Sequence, residues 1–130
     1  MASRADALQR VYDAWNRDDF EGFVDMLHPD VEWHSSGVFP GLEPVYRGRE
    51  GVRRWWHAIR DPFERFTIEV EEVREAGGAT VASVRFRAVG KGSGARVDLP
   101  FAHVFEFEDA RVVRYWAYDS VDTALAARRG

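Results

Sequence analysis

The residue with the most chemical promise is His103. It stands in the run Phe101-Ala-His-Val-Phe-Glu-Phe107, where period-two alternation puts the imidazole on one strand face with Phe101, Phe105 and Phe107. An imidazole titrates nearer neutrality than other side chains, and with a partner in reach it can carry a proton. Asp119, which closes the run RYWAYD, is the candidate carboxylate partner, and Ser120 and Tyr12 are further partners. Burial would lower the pKa of a lone histidine and a neighbouring carboxylate would raise it, so the partner decides the charge. The competing readings are a satisfied core histidine and a carboxylate that merely ends a strand.

Aromatic residues supply the second signal. Trp15, Trp33, Phe39, Tyr46, Trp55, Trp56 and Trp116 carry most of the ring surface, and core packing accounts for most of them. Trp33, Phe39 and Tyr46 flank a loop, where packing demand is lower, and are the stronger pocket candidates. With Tyr12, Trp15, Trp56 and Trp116 they make up the expected ligand-binding set. Glu32 alternates with Trp33 and so belongs on the opposite, surface side.

Other patterns weaken on inspection. His28, Asp30, Glu32 and His34 recur at every second position, but the run crosses a proline, and no HxxxH or HExxH spacing supports a metal. No metal and no cofactor are expected. Gly90-Lys-Gly-Ser-Gly94 lacks the ending of a phosphate loop and lies between two strands, so it is a hairpin turn. Arg53-Arg54 and Arg128-Arg129 are dispersed among acids and form solvated faces.

The 130 residues fit one domain over 1–130 with a real core. A net charge of -4 argues against nucleic acid, whose backbone needs a basic face. There is no cysteine, hence no disulfide framework or thiolate chemistry. The opening MASRADALQR is charged where a secretory signal needs an apolar run, and no segment has the apolar length to span a membrane, so a cytoplasmic location is expected.

These residues need elements to hold them. Ser3 with Asp6 suggests a helix start, and Ala7, Leu8, Val11, Ala14 and Trp15 recur at helical spacing to about Arg17. Asp18 opens a second helix through Leu27, stopped by Pro29. Val31 to His34 is a short strand, Ser35 to Val45 a loop, and Gly48 to Arg60 a helix ended by Asp61-Pro62. From Arg65 the period becomes two, with a bulge at Glu71-Glu72, a turn at Gly77-Gly78, and strands over Ala79–Val89, Arg96–Glu108 and Arg111–Asp119. Ser120 caps a last helical turn through Leu125. Helices first and antiparallel strands after them predict an α+β domain whose Gly48–Arg60 helix packs on the concave face of the sheet. Ala102 and Val104 make the other face of their strand apolar as well, which points to a homodimer through that face.

The segments YDAWNRDDFEGFVDMLHPDVEWH, VYRGREGVRRWW and RVVRYWAYDSVDTAL, in this order over nearly the whole chain, resemble the nuclear transport factor 2-like superfamily in its SnoaL-like branch. The resemblance implies a cone-shaped α+β barrel, a curved antiparallel sheet with N-terminal helices enclosing a deep apolar pocket, commonly dimerised through the sheet. It covers ketosteroid isomerase, limonene-type epoxide hydrolases, polyketide cyclases and proteins with no chemistry, so the fold does not select the reaction. In ketosteroid isomerase a carboxylate base works with a tyrosine and a protonated aspartic acid. Those positions fall here at Trp33, near Val11 with Tyr12 one place off and turned elsewhere on the helix, and at His103. The epoxide hydrolases' middle-strand Arg and Asp fall near Thr80 and Ala82. The polyketide cyclases' pocket His and terminal-strand acid correspond to His103 and Asp119, although many relatives place the acid at what is here Ser120. The resemblance therefore implies a pocket for a small apolar or aromatic molecule, with cyclase or isomerase acid–base chemistry. The alternative is a non-catalytic binding or dimerisation module of the same fold.

Overall fold

The computed structural model describes residues 4–35 and 41–129. Ser3, expected to cap the first helix, and Phe39, expected in the pocket, lie outside the described residues. Helix α1 (Arg4–Asn16) places Leu8, Val11, Tyr12 and Trp15 on one buried stripe at the spacing of an amphipathic helix. Its end is fastened to the sheet by Asn16, whose Nδ2 donates to the Ile68 carbonyl at 2.9 Å and whose Oδ1 accepts from the Ile68 N–H at 2.8 Å. That pair of hydrogen bonds occupies backbone groups on an edge strand, which would otherwise stay open to pairing.

Helix α2 (Phe20–Val24) is much shorter than the sequence predicted. Asp19 caps it by accepting from the Gly22 N–H at 3.0 Å. The chain is already extended at Leu27, so strand β1 (Leu27–His34) contains Pro29 rather than beginning after it. Pro29 cannot donate to a ladder, and the register of β1 shifts between Leu27 and Glu32 to accommodate it. Arg49 Nη2 donates to the Leu27 carbonyl at 2.8 Å beside this irregularity.

The loop expected through Val45 ends in a short strand, β2 (Val45–Arg47), which leads into α3 (Gly48–Arg60). Four strands follow: β3 (Phe63–Ala76), β4 (Ala79–Gly90), β5 (Arg96–Glu108) and β6 (Arg111–Tyr118). They form one antiparallel run, with the anticipated bulge as a register shift between Val70 and Glu72. The whole sheet has the order β2-β1-β6-β5-β4-β3 and is unclosed, and β1 pairs with β6 in parallel. That parallel pair stands beside the antiparallel run expected from Arg65 onward: β1 is antiparallel to β2, and the chain passes through α3 before the long strands begin.

Helix α3 rests chiefly on β1 and β2 rather than across the long strands. Gly51 allows the approach to β2, since a Cβ there would stand 3.1 Å from the Tyr46 carbonyl carbon. Trp55 and Ile59 nonetheless reach the concave side, where they join Phe66 and Phe86 in the main core.

On the convex side Ala79, Val81, Ala102 and Val104 are covered by α4 (Val121–Arg129), which packs Ala124 onto them. Ser120 caps this helix as expected, accepting from the Thr123 N–H at 3.1 Å, but the helix runs well past Leu125. The remainder of that face carries ion pairs, Arg85–Asp98 at 2.7 Å and Arg87–Glu69 at 2.9 Å. No described helix is long and apolar enough to cross a membrane.

Candidate functional site

The concave side of the sheet and the buried stripe of α1 enclose an apolar cavity. Val11, Tyr12 and Trp15 come from α1, Trp33 from β1, Trp55 from α3, and Phe101, His103 and Phe105 from β5. None of the described lining residues is charged. The open space amounts to only about 40 Å³, room for a few water molecules.

His103 faces this space, as the alternation of β5 requires. Its Nδ1 lies 2.8 Å from the Tyr12 hydroxyl, and the two rings are nearly parallel, at 17°. Tyr115 stands edge-on to the imidazole with centroids 5.2 Å apart, and it stacks in turn on Trp33 at 3.8 Å and 14°.

Electrostatically the site is neutral. Burial pushes the His103 pKa down to about 3, since an imidazolium here would lose its hydration without gaining a counter-charge. Burial raises the Tyr12 hydroxyl well above its ordinary value, with nearby Tyr115 adding to the effect, and burial likewise raises Tyr115. At neutral pH all three are uncharged. Either Tyr12 donates to Nδ1 and the ring proton sits on Nε2, or Nδ1–H donates to the Tyr12 oxygen. In both cases Nε2 is the ring nitrogen left for a ligand, as donor in the first tautomer and acceptor in the second.

The expected site residues divide sharply. Tyr12, Trp15, Trp33 and His103 meet at the cavity. Tyr12 is not turned away as the family register implied, because the buried stripe of α1 is wide enough to aim both Val11 and Tyr12 inward. Asp119 does not join them. It is exposed, one residue beyond the end of β6, so the expected His103–Asp119 pair is not formed. Trp116 alternates with Tyr115 and Ala117 and therefore lies on the convex side, stacked on His34 at 5.1 Å with the Arg128 guanidinium 5.6 Å away.

Tyr46 is buried between β2 and α3, outside the cavity, and its hydroxyl accepts from the Glu43 N–H at 3.0 Å. Trp56 packs behind Trp15, at 4.7 Å, and borders a separate polar cleft with His57, Arg60 and Lys91. Tyr115 and Phe105 are lining residues that the sequence reading did not select for the site. Strand alternation was the available signal, since Tyr115 and Trp116 must face opposite ways. No described group of three or more His, Asp or Glu residues is arranged to hold a metal.

A profile of the SnoaL-like domain matches residues 8–115. The chain belongs to the SnoaL-like family. This SnoaL-like domain is similar in structure to an NTF2-like protein of unknown function from Burkholderia pseudomallei, with a TM-score of 0.80, 24% identity and 100% of both chains covered. It is also similar to TerC, crystallised with polyporic acid, at TM-score 0.80 and 19% identity over 98% of each chain. A third likeness is to IdmH from Streptomyces antibioticus, described as a candidate polyketide cyclase, at TM-score 0.75 and 21% identity over 99% of each chain. At these identities the likenesses establish the fold of the SnoaL-like domain and leave its chemistry to its own residues. No curated protein matches the chain.

Proposed function

We propose that this SnoaL-like protein binds a small apolar or aromatic molecule in the cavity and that His103 Nε2 is its polar contact. The observation that carries this reading is the Tyr12–His103 hydrogen bond at the wall of a cavity lined by aromatic rings. A buried imidazole with a depressed pKa is a poor base in isolation, yet as a neutral dipole it can polarise a carbonyl or hold a hydroxyl. Tyr12 fixes the ring and can exchange a proton through Nδ1, the role first expected of Asp119. Cyclisation or isomerisation of a bound ketone is the reaction class this arrangement suits. TerC with polyporic acid and the candidate cyclase IdmH lend support as proteins of the same fold.

The test is native mass spectrometry of protein from its producing cells, followed by titration of the retained molecule into wild type and His103→Ala. Affinity should fall about five- to tenfold in the variant, because the ligand loses its polar contact at Nε2. Equal affinity would remove His103 from the site.

A second reading, a non-catalytic dimerisation module whose own rings fill the cavity, is favoured by one observation. The rings leave a space of only about 40 Å³. Under that reading no molecule is retained, and apolar compounds leave the tryptophan fluorescence unchanged.

Pairing as a homodimer through the convex face is also proposed, and the surface beyond α4 makes such an interface polar, centred on Arg85, Arg87 and Asp98. Sedimentation at micromolar concentration should then give twice 14.9 kDa at low salt and dissociation as salt rises. A monomer at low salt would remove the dimer.

A further inference from the structure

Two donors on residues of the cavity wall have no acceptor among the described residues. The indole nitrogens of Trp15 and Trp33 are buried and make no hydrogen bond among the described residues, although both side chains are about 1% exposed. Buried polar groups nearly always find a partner, and leaving one unmet costs more than an ordinary hydrogen bond contributes. The other tryptophans differ: Trp55, Trp56 and Trp116 have no such orphaned nitrogen. The two orphans are on residues that line the cavity.

An indole N–H can only donate. The described lining offers no carboxylate to receive it, and His103 Nδ1 is already occupied by Tyr12. Trp33 has the more telling position. It stacks on Tyr115, and Tyr115 touches the His103 ring, so Trp33 lies one ring away from the Tyr12–His103 pair. Trp15 is held further back, between Phe66 at 4.8 Å and the Arg60 guanidinium at 4.5 Å.

We infer that the indole N–H groups of Trp33 and Trp15, Trp33 foremost, are specificity-determining donors that select an uncharged ligand carrying an oxygen acceptor. A carboxylate ligand is disfavoured because the described wall holds no cation to meet it. A pure hydrocarbon is disfavoured because it would leave both donors unmet. The inference rests on the pocket reading above and adds the chemistry of the ligand to it.

The test uses two probes of nearly one shape, acetophenone and α-methylstyrene, in which a carbonyl oxygen is exchanged for a methylene. Binding is followed by the indole N–H resonances of the 15N-labelled full chain, which holds 5 tryptophans. The signals of Trp33 and Trp15 are identified by their loss in Trp33→Phe and Trp15→Phe.

Acetophenone should bind about three- to tenfold more tightly, the worth of one to two net hydrogen bonds. It should also move the Trp33 proton downfield where α-methylstyrene does not. In Trp33→Phe the preference for acetophenone over α-methylstyrene should shrink towards parity, whatever the change in the affinity common to both probes. If both probes bind wild type equally, with no downfield shift, the inference fails and the pocket reading stands. If neither binds, the pocket reading falls and takes the inference with it. The wild-type comparison decides the matter even if a tryptophan variant does not fold.

Discussion

Between pH 6.5 and about 3 the wild-type protein should lose up to about 5 kcal/mol more stability than His103→Asn. The unfolded chain takes up a proton on His103 below about 6.5, whereas the folded chain refuses it until about 3. Within that window the unfolded state binds more protons, so stability is complete above the unfolded pKa and drains away as pH falls. Asparagine keeps an acceptor for the Tyr12 hydroxyl but does not titrate. The carboxylates contribute the same slope to both proteins, including Glu32, whose pKa is lowered by its hydrogen bond to His34 and by Arg47, and they cancel in the difference. Neither neighbour of the imidazole, Tyr12 or Tyr115, titrates in this range. Urea unfolding at a series of pH values measures the effect. Parallel slopes for the two proteins would mean that His103 is hydrated and not held neutral by the core.

Trp15→Ala should cost about 3–5 kcal/mol, a large share of the stability of a single domain. The indole packs against Phe23, Trp55, Trp56 and Phe66, and Arg60 lies over its face at 4.5 Å. Removing it opens a void among rigid rings that cannot collapse, and it strips Arg60 of one of the two ring faces that cover its guanidinium. Trp116→Ala is the control. Its indole is half-buried on the convex side, so its loss should cost about 1–2 kcal/mol. Equal losses at the two positions would contradict the placement of the core.

Much of this could be read from the chain because the information is local. Helix α3 announces itself through Val52, Trp55, Trp56 and Ile59 and stops before Pro62, and the Glu71-Glu72 doublet marks its bulge. Strand alternation placed His103 with Phe101 and Phe105. What escaped depends on contacts distant in sequence. Alternation from Tyr115 and Ala117 would carry Asp119 to the inner face, but β6 ends at Tyr118 as the chain turns towards α4, and nothing within the strand signals that end. The direction of Tyr12 was available in the Leu8–Val11–Tyr12–Trp15 stripe, yet its partner is 91 residues away and no local pattern names it. The helical spacing of Phe23, Val24 and Leu27 runs past the real end of α2, because the chain is already extended at Leu27.

The parallel seam between β1 and β6 also sets an order in time. A ribosome makes β1 early and β6 last of all the strands, yet β6 is the piece inserted between β1 and β5. Until it emerges, β1–β2 and the β3–β5 meander are two separate pieces of sheet, each with an open strand edge where β6 belongs. The sheet cannot be completed progressively from its beginning, and a chain stopped short of Arg111 leaves β1 and β5 unjoined, with its two parts meeting chiefly where α1 and α3 rest on β3.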